Sequence, residues 1–219
     1  MDYLSSIEVE PVDNADACVI WLHGLGASGH DLQPIVAELG LPARAAIRFV
    51  FPHAPSMPIT INGGYVMPGW YDIRAIDIER EIDKHQLLLS ASAVQALIDR
   101  EIERGIDSRR IVVAGFSQGG AVAYQAALTH PRPLAGVLGM SSYFATADSI
   151  TPNPVNADLA IGIYHGTADP MVPEKLGRHS QQQLQQMGYT PFYKTYPMAH
   201  AICAEEIADI SRWLQKTLL

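Results

Sequence analysis

Five residues, Gly115-Phe116-Ser117-Gln118-Gly119, match the pattern G-x-S-x-G, in which a strand turns sharply into a helix and holds a serine hydroxyl above a sheet edge. Serine at such a turn becomes a nucleophile for acyl transfer once a neighbouring base takes its proton. The glycines have a physical reason. The serine backbone is strained, and side chains two residues either side would collide with the adjoining strand or helix. With 17 Gly and 13 Ser in 219 residues, chance alone produces the pattern about 0.08 times. Context supports it: the apolar run 110–114 precedes the motif and a compact, alanine-rich stretch, 120–128, follows. The plain alternative is a glycine-rich turn with an incidental serine.

A histidine must activate the hydroxyl, and a carboxylate must hold that histidine in one tautomer. At an elbow of this kind the chain order is Ser, then Asp or Glu, then His. Asp169, in His165-Gly-Thr-Ala-Asp-Pro-Met-Val-Pro173, directly follows an apolar run and is the best acid; Asp148 and Asp158 read as solvated loop charges. Of the two histidines beyond it, His179 falls inside a polar helical stretch and reads as a surface residue. His200, in Pro197-Met-Ala-His-Ala201, sits in a loop between a strand and the last helix and is the candidate base. Two backbone N–H groups should stabilise the oxyanion. One belongs to Gln118, the residue after the serine, and the other to Leu25 in the turn His23-Gly24-Leu25-Gly26. Gly24, Gly26 and Gly29 also fit G-x-G-x-x-G, but no acidic residue ends the next strand, where Phe51 meets Pro52-His53, so a dinucleotide is not expected. Neither H-E-x-x-H nor C-x-x-C occurs and the eight histidines are scattered, so no metal or cofactor is expected.

These groups need a frame. Short apolar runs at 18–22, 48–51, 111–114, 136–140, 161–164 and 192–196 suit strands buried on both faces. Helical stretches alternate with them at 31–39, 83–104, 119–128, 174–187 and 204–218. Leu87, Ala91, Val94, Ile98 and Ile102 form one apolar stripe, with Asp99, Glu101, Glu103 and Arg104 mostly away from it. Strands alternating with helices predict an α/β fold with a mostly parallel sheet, helices on both faces and active residues at the carboxyl ends of strands. The whole chain, 1–219, reads as one domain.

Together these motifs resemble the phospholipase/carboxylesterase family of the α/β-hydrolase fold, which includes acyl-protein thioesterases. The marks are Leu22-His-Gly-Leu-Gly26, Pro52-His-Ala-Pro55, the stretch 60–72, Gly115-Phe-Ser-Gln-Gly-Gly-Ala121, His165-Gly-Thr-Ala-Asp169 and Pro197-Met-Ala-His200. The bacterial carboxylesterase branch looks nearest. The resemblance implies Ser117, Asp169 and His200 as a triad with Leu25 and Gln118 as oxyanion donors. Members usually carry Ser where this chain has Gly69 and Gly where it has Ala199.

The segment 52–72 is long and apolar, and such loops are often functional covers. It is expected to line an acyl channel, with Met67, Trp70 and Tyr71 contacting substrate. No separate lid domain is expected, so the pocket should be open to water-soluble esters. The expected activity is hydrolysis of short- to medium-chain carboxylic esters, or thioesters, through an acyl-enzyme. The alternative is acyl-protein thioesterase or lysophospholipase activity on longer chains. A peptidase or acyltransferase on the same fold, and an inactive scaffold, are the competing classes. A net charge of −8 disfavours nucleic acid and anionic membranes. Two cysteines and an acidic N-terminal stretch without an apolar core predict a reducing, cytoplasmic setting. No apolar run predicts membrane insertion. Leftover apolar surface would allow a homodimer, as in some relatives of that family.

Overall fold

Strands that are apolar at consecutive positions must be covered on both faces. The computed structural model, which describes residues 3–42, 44–75 and 81–219, meets this demand with a seven-stranded sheet. Its strands are β1 (Ser6–Val9), β2 (Ala17–Leu22), β3 (Ile47–Pro52), β8 (Ile111–Phe116), β9 (Gly136–Met140), β10 (Ala160–Gly166) and β11 (Phe192–Tyr196). Two small hairpins outside it pair β4 (Ser56–Ile59) with β5 (Tyr65–Pro68) and β6 (Ile73–Ala75) with β7 (Glu81–Ile82). The main sheet runs β1-β3-β2-β8-β9-β10-β11, parallel except for β1, which is antiparallel to β3.

Helices α1 (Gly29–Leu32), α2 (Ile35–Glu38), α3 (Lys84–Glu103), α4 (Gln118–Thr129), α5 (Glu174–Gln186) and α6 (Ala204–Leu218) cover the sheet. On β2, Cys18, Ile20 and Leu22 face the core shared with α3 and α4, whereas Ala17, Val19 and Trp21 face the core shared with α1, α2 and α6. This is the α/β-hydrolase architecture, and its strand order decides where a site can form. From β2 the chain continues to β3 on one side of it, while β8 pairs on its other side, so the order reverses between β2 and β8. The carboxyl ends of these two strands therefore border a crevice. Leu25 follows β2 and Ser117 follows β8. The register Leu22↔Gly115, Phe116↔Met140 and Gly166↔Tyr196 brings the turns after β10 and β11 to the same edge.

Several elements differ from expectation. The single helix at 31–39 is two short helices interrupted at Gln33-Pro34: both residues keep helical backbone angles, but Pro34 has no N–H to continue the hydrogen-bond ladder. Strand β1 carries no continuous apolar run to announce it, because it is a half-buried edge strand with an alternating pattern. Glu101 does not face water as its place beside the apolar stripe suggests. It is fully buried, accepting from Arg48 at 2.7 Å, Arg100 at 2.9 Å and Arg104 at 3.0 Å. Glu8 of β1 in turn pairs with Arg100 and Arg104, so the cluster ties β1, β3 and α3 together.

Candidate active site

The elbow is built by close backbone approach. A Cβ at Gly115 would lie 2.3 Å from the Gly119 backbone, and one at Gly119 would lie 2.6 Å from the His23 carbonyl oxygen. Only glycine lets β8 turn so tightly into α4. Ser117 at the apex has φ 53° and ψ −121°, outside the regions ordinary side chains favour. Its N–H donates to Met140 O at 2.8 Å, and the Ser142 hydroxyl donates to its carbonyl at 2.6 Å.

Ser117, His200 and Asp169 stand far apart along the chain and meet at this edge. His200 Nε2 lies 2.9 Å from Ser117 Oγ, and its Nδ1 lies 2.7 Å from Asp169 Oδ2. The serine hydroxyl thus faces an acceptor nitrogen while the other ring nitrogen donates to the carboxylate. Asp169 Oδ1 accepts the N–H groups of Met171 at 2.9 Å and Val172 at 2.8 Å. Burial pushes the Asp169 carboxyl up, but the His200 bond, the Val172 bond, the His200 charge and the Met171 bond outweigh it and hold it below the usual carboxylate range. It remains an anion beside the ring. His165, fully buried in β10, has a different role: its Nε2 donates to the Val172 carbonyl at 2.8 Å and steadies the turn that carries Asp169. Burial pushes the His165 imidazole down, so it stays neutral. His179 is exposed on α5, and Asp148 and Asp158 are exposed as well.

A cavity of about 290 Å³ opens beside Ser117, lined by Leu25, Ile61, Met67, Gln118, Tyr143, Met171 and His200 among others. Among the described residues, neither the Leu25 N–H nor the Gln118 N–H has a protein acceptor. Gln118 also begins α4, where helix dipoles favour negative charge. The arrangement is chemically suited to nucleophilic acyl transfer, with a hydroxyl, a base, an orienting anion and two free donors around one apolar cavity. Among the described residues no cluster of His, Cys, Asp or Glu could hold a metal ion.

Segment 52–72 supplies part of the expected acyl wall, through Ile61, Asn62 and Met67. Met67, at the end of the β4–β5 hairpin, does line the cavity. Trp70 and Tyr71 do not: both are fully buried beneath the hairpin. The Trp70 indole donates to His23 O at 2.8 Å and its ring lies 5.2 Å from the His23 ring. Tyr71 reaches the cavity through Tyr143, to which its hydroxyl is bonded at 2.8 Å. Ile61 lines the cavity too, as a member of the segment expected there, whereas Tyr143 and Met171 are lining residues that the sequence did not single out, since their types carry no catalytic signal and only folding brings them to Ser117. Gly69 leaves its mark here too, since a Cβ at that position would press within 3.1 Å of the Leu25 and Ile59 side chains.

Comparison with known proteins agrees with this fold. Residues 5–218 match the family model described as Phospholipase/Carboxylesterase. The chain is 41% identical to Acyl-protein thioesterase 1 of Neurospora crassa, over 96% of this chain and 90% of the relative. It is 38% identical to Acyl-protein thioesterase 1 of Gibberella zeae, over 92% and 91%. The crystal structure of Arabidopsis thaliana SOBER1 superimposes with a TM-score of 0.86 at 30% identity, covering 93% of this chain and 99% of that one. These relatives are fungal and plant proteins, so the expected placement in a bacterial carboxylesterase branch is not supported.

Proposed function

The chain belongs to the phospholipase/carboxylesterase family of α/β-hydrolases, and we propose that within it the protein is a serine hydrolase that cleaves acyl thioesters, its natural substrate being an S-acylated protein. The observation carrying the chemistry is the Ser117–His200–Asp169 relay, with spacings of 2.9 and 2.7 Å, at the mouth of an apolar cavity. The names of relatives at 41% and 38% identity favour a thioesterase over the short- to medium-chain carboxylesterase expected from sequence.

Ser117 Oγ attacks the carbonyl carbon while its proton passes to His200 Nε2. The carbonyl oxygen becomes an oxyanion between the Leu25 and Gln118 N–H groups. Collapse expels the thiolate, which takes the proton from His200; a cysteine thiolate, with a pKa of roughly 8.5, leaves more readily than an alkoxide. Water then attacks the acyl-serine, giving its proton to His200, which later returns it to Ser117. Asp169 keeps the Nδ1–H tautomer and offsets the imidazolium charge. At roughly the 30 Å³ that a small group such as water occupies, a 290 Å³ cavity holds on the order of ten methylenes, so longer chains extend beyond it.

The test compares a peptide S-acylated on cysteine with its O-acyl serine counterpart across C4 to C16, using wild type and Ser117→Ala, with a fluorophosphonate probe for the serine. Wild type should label, Ser117→Ala should not, and the thioester should be turned over faster. Labelling that survives Ser117→Ala removes the nucleophile. A higher kcat/KM for the oxygen ester removes the thioesterase reading.

A further inference from the structure

We propose that Trp70 and the carboxamide of Gln118 are positioning residues that hold the two oxyanion donors at one spacing, making Trp70 a brace for the chemical step rather than a wall for the acyl chain. This rests on the reading of Ser117 as nucleophile with Leu25 and Gln118 as donors.

The Gln118 side chain is buried and wholly engaged. Its Oε1 accepts the Trp70 N–H at 2.8 Å and its Nε2 donates to the Tyr71 carbonyl at 2.6 Å. A primary amide used at both ends holds the facing backbone as a strand neighbour would. Thus the residue that supplies one oxyanion N–H is clamped to Trp70. The other donor is fastened to the same residue. The Trp70 indole N–H reaches the carbonyl of His23, two residues before Leu25. His23 is itself locked: its Nδ1 donates to Gly24 O at 2.7 Å and its Nε2 accepts from the Ala54 N–H at 3.1 Å. Only one neutral tautomer satisfies both bonds. A second tie runs from the Gly26 N–H to Pro68 O at 2.8 Å. From beneath, the Ser90 hydroxyl of α3 donates to the Trp70 carbonyl. Leu25, in the loop after β2, and Gln118, the first residue of α4, are distant along the chain, and Trp70 bonds to both segments. An oxyanion hole works only if its donors are already placed where charge will develop.

Burial rules out direct contact between Trp70 and an acyl chain. The Trp70 side chain is fully buried, and the cavity it borders is a second one with Leu4, Met57 and Leu89, which shares no lining residue with the cavity at Ser117.

Trp70→Phe keeps the ring and removes the indole donor; Gln118→Met keeps length and the backbone N–H but removes both side-chain bonds. Each should lower kcat about 10- to 100-fold, the cost of misplacing or losing one oxyanion donor, while KM stays within about twofold. A C4 and a C10 p-nitrophenyl ester should lose the same factor. Affinity for a trifluoromethyl ketone, whose adduct carries the oxyanion, should weaken by a comparable factor. All rates are normalised to serine titrated with the fluorophosphonate, so partial unfolding lowers the titrated fraction and not the reported kcat. Unchanged kcat and inhibitor affinity in folded variants would overturn the inference, as would a loss confined to KM or to the longer chain. If Trp70→Phe does not fold, Gln118→Met alone decides between these outcomes. A wild type that neither labels nor hydrolyses would instead refute the serine hydrolase reading on which this stands.

Discussion

Replacing Glu206 by glutamine should make the protein more stable at alkaline pH and leave acid stability nearly untouched. Glu206 lies in the first turn of α6, completely buried, and among the described residues neither carboxylate oxygen meets a hydrogen-bond donor in full geometry. Burial pushes its carboxyl from the ordinary 4.5 up to about 8, against a smaller opposing effect of the Cys203 N–H and with Asp209 adding to the rise. The folded state therefore prefers the protonated acid. Because the folded value is raised, its stabilising contribution is complete below pH 4.5 and is lost as pH climbs towards 8. Each unit of difference is worth about 1.36 kcal/mol, so only about 1 kcal/mol has been lost at pH 5, and about 4 kcal/mol at pH 8. Glutamine fills the same space and does not titrate. The difference in stability between wild type and Glu206→Gln should therefore change by about 3 kcal/mol between pH 5 and 8. For a chain of this size that is roughly 6–12 °C in Tm. Thermal or urea denaturation of both proteins at the two pH values measures this double difference, in which titrating groups not coupled to Glu206 cancel. A gap that does not widen with pH would show that Glu206 is ionised in the folded protein, by solvent or by a partner reached through motion.

Three further outcomes follow from the geometry. Asp169→Asn should lower kcat by about 10⁴ without a comparable fall in Tm, because an amide no longer compels the Nδ1–H tautomer of His200; a loss below tenfold would make Asp169 a structural residue. Glu101→Leu should cost about 3 kcal/mol in urea denaturation with kcat unchanged, since it leaves Arg48, Arg100 and Arg104 around an apolar group; a cost under about 1 kcal/mol would mean that Glu8 and Glu10, the latter paired with Arg48 and Arg104, suffice. Met67→Trp should cut turnover of C8 and longer acyl chains at least tenfold relative to C4, by filling the cavity beside Ser117; an unchanged chain-length profile would place the acyl chain elsewhere.

The sequence alone determined what depends on neighbours close along the chain. Continuous apolar runs identified the central strands, since a strand buried on both faces has no polar period to display. The elbow was legible because its two glycines answer a local steric demand, and Asp169 and His200 because each closely follows a strand. Helix α6 was read to its ends from Ile207, Ile210, Leu214 and Leu218. Tertiary structure decided what depends on distant partners. Glu101 sits at the edge of an amphipathic stripe and reads as solvated, yet three arginines from α3 and β3 make its burial tolerable. Prolines 58 and 68 hid the β4–β5 hairpin, which accepts them because it lies outside the main sheet. Above all, the apolar residues of segment 52–72 gave no sign of direction. Met67 and Trp70 are neighbours in one short apolar stretch and equally suited to burial. One borders the cavity beside Ser117 and the other supports the loop before Leu25, because only the docked hairpin and the Gln118 amide determine which way each side chain turns.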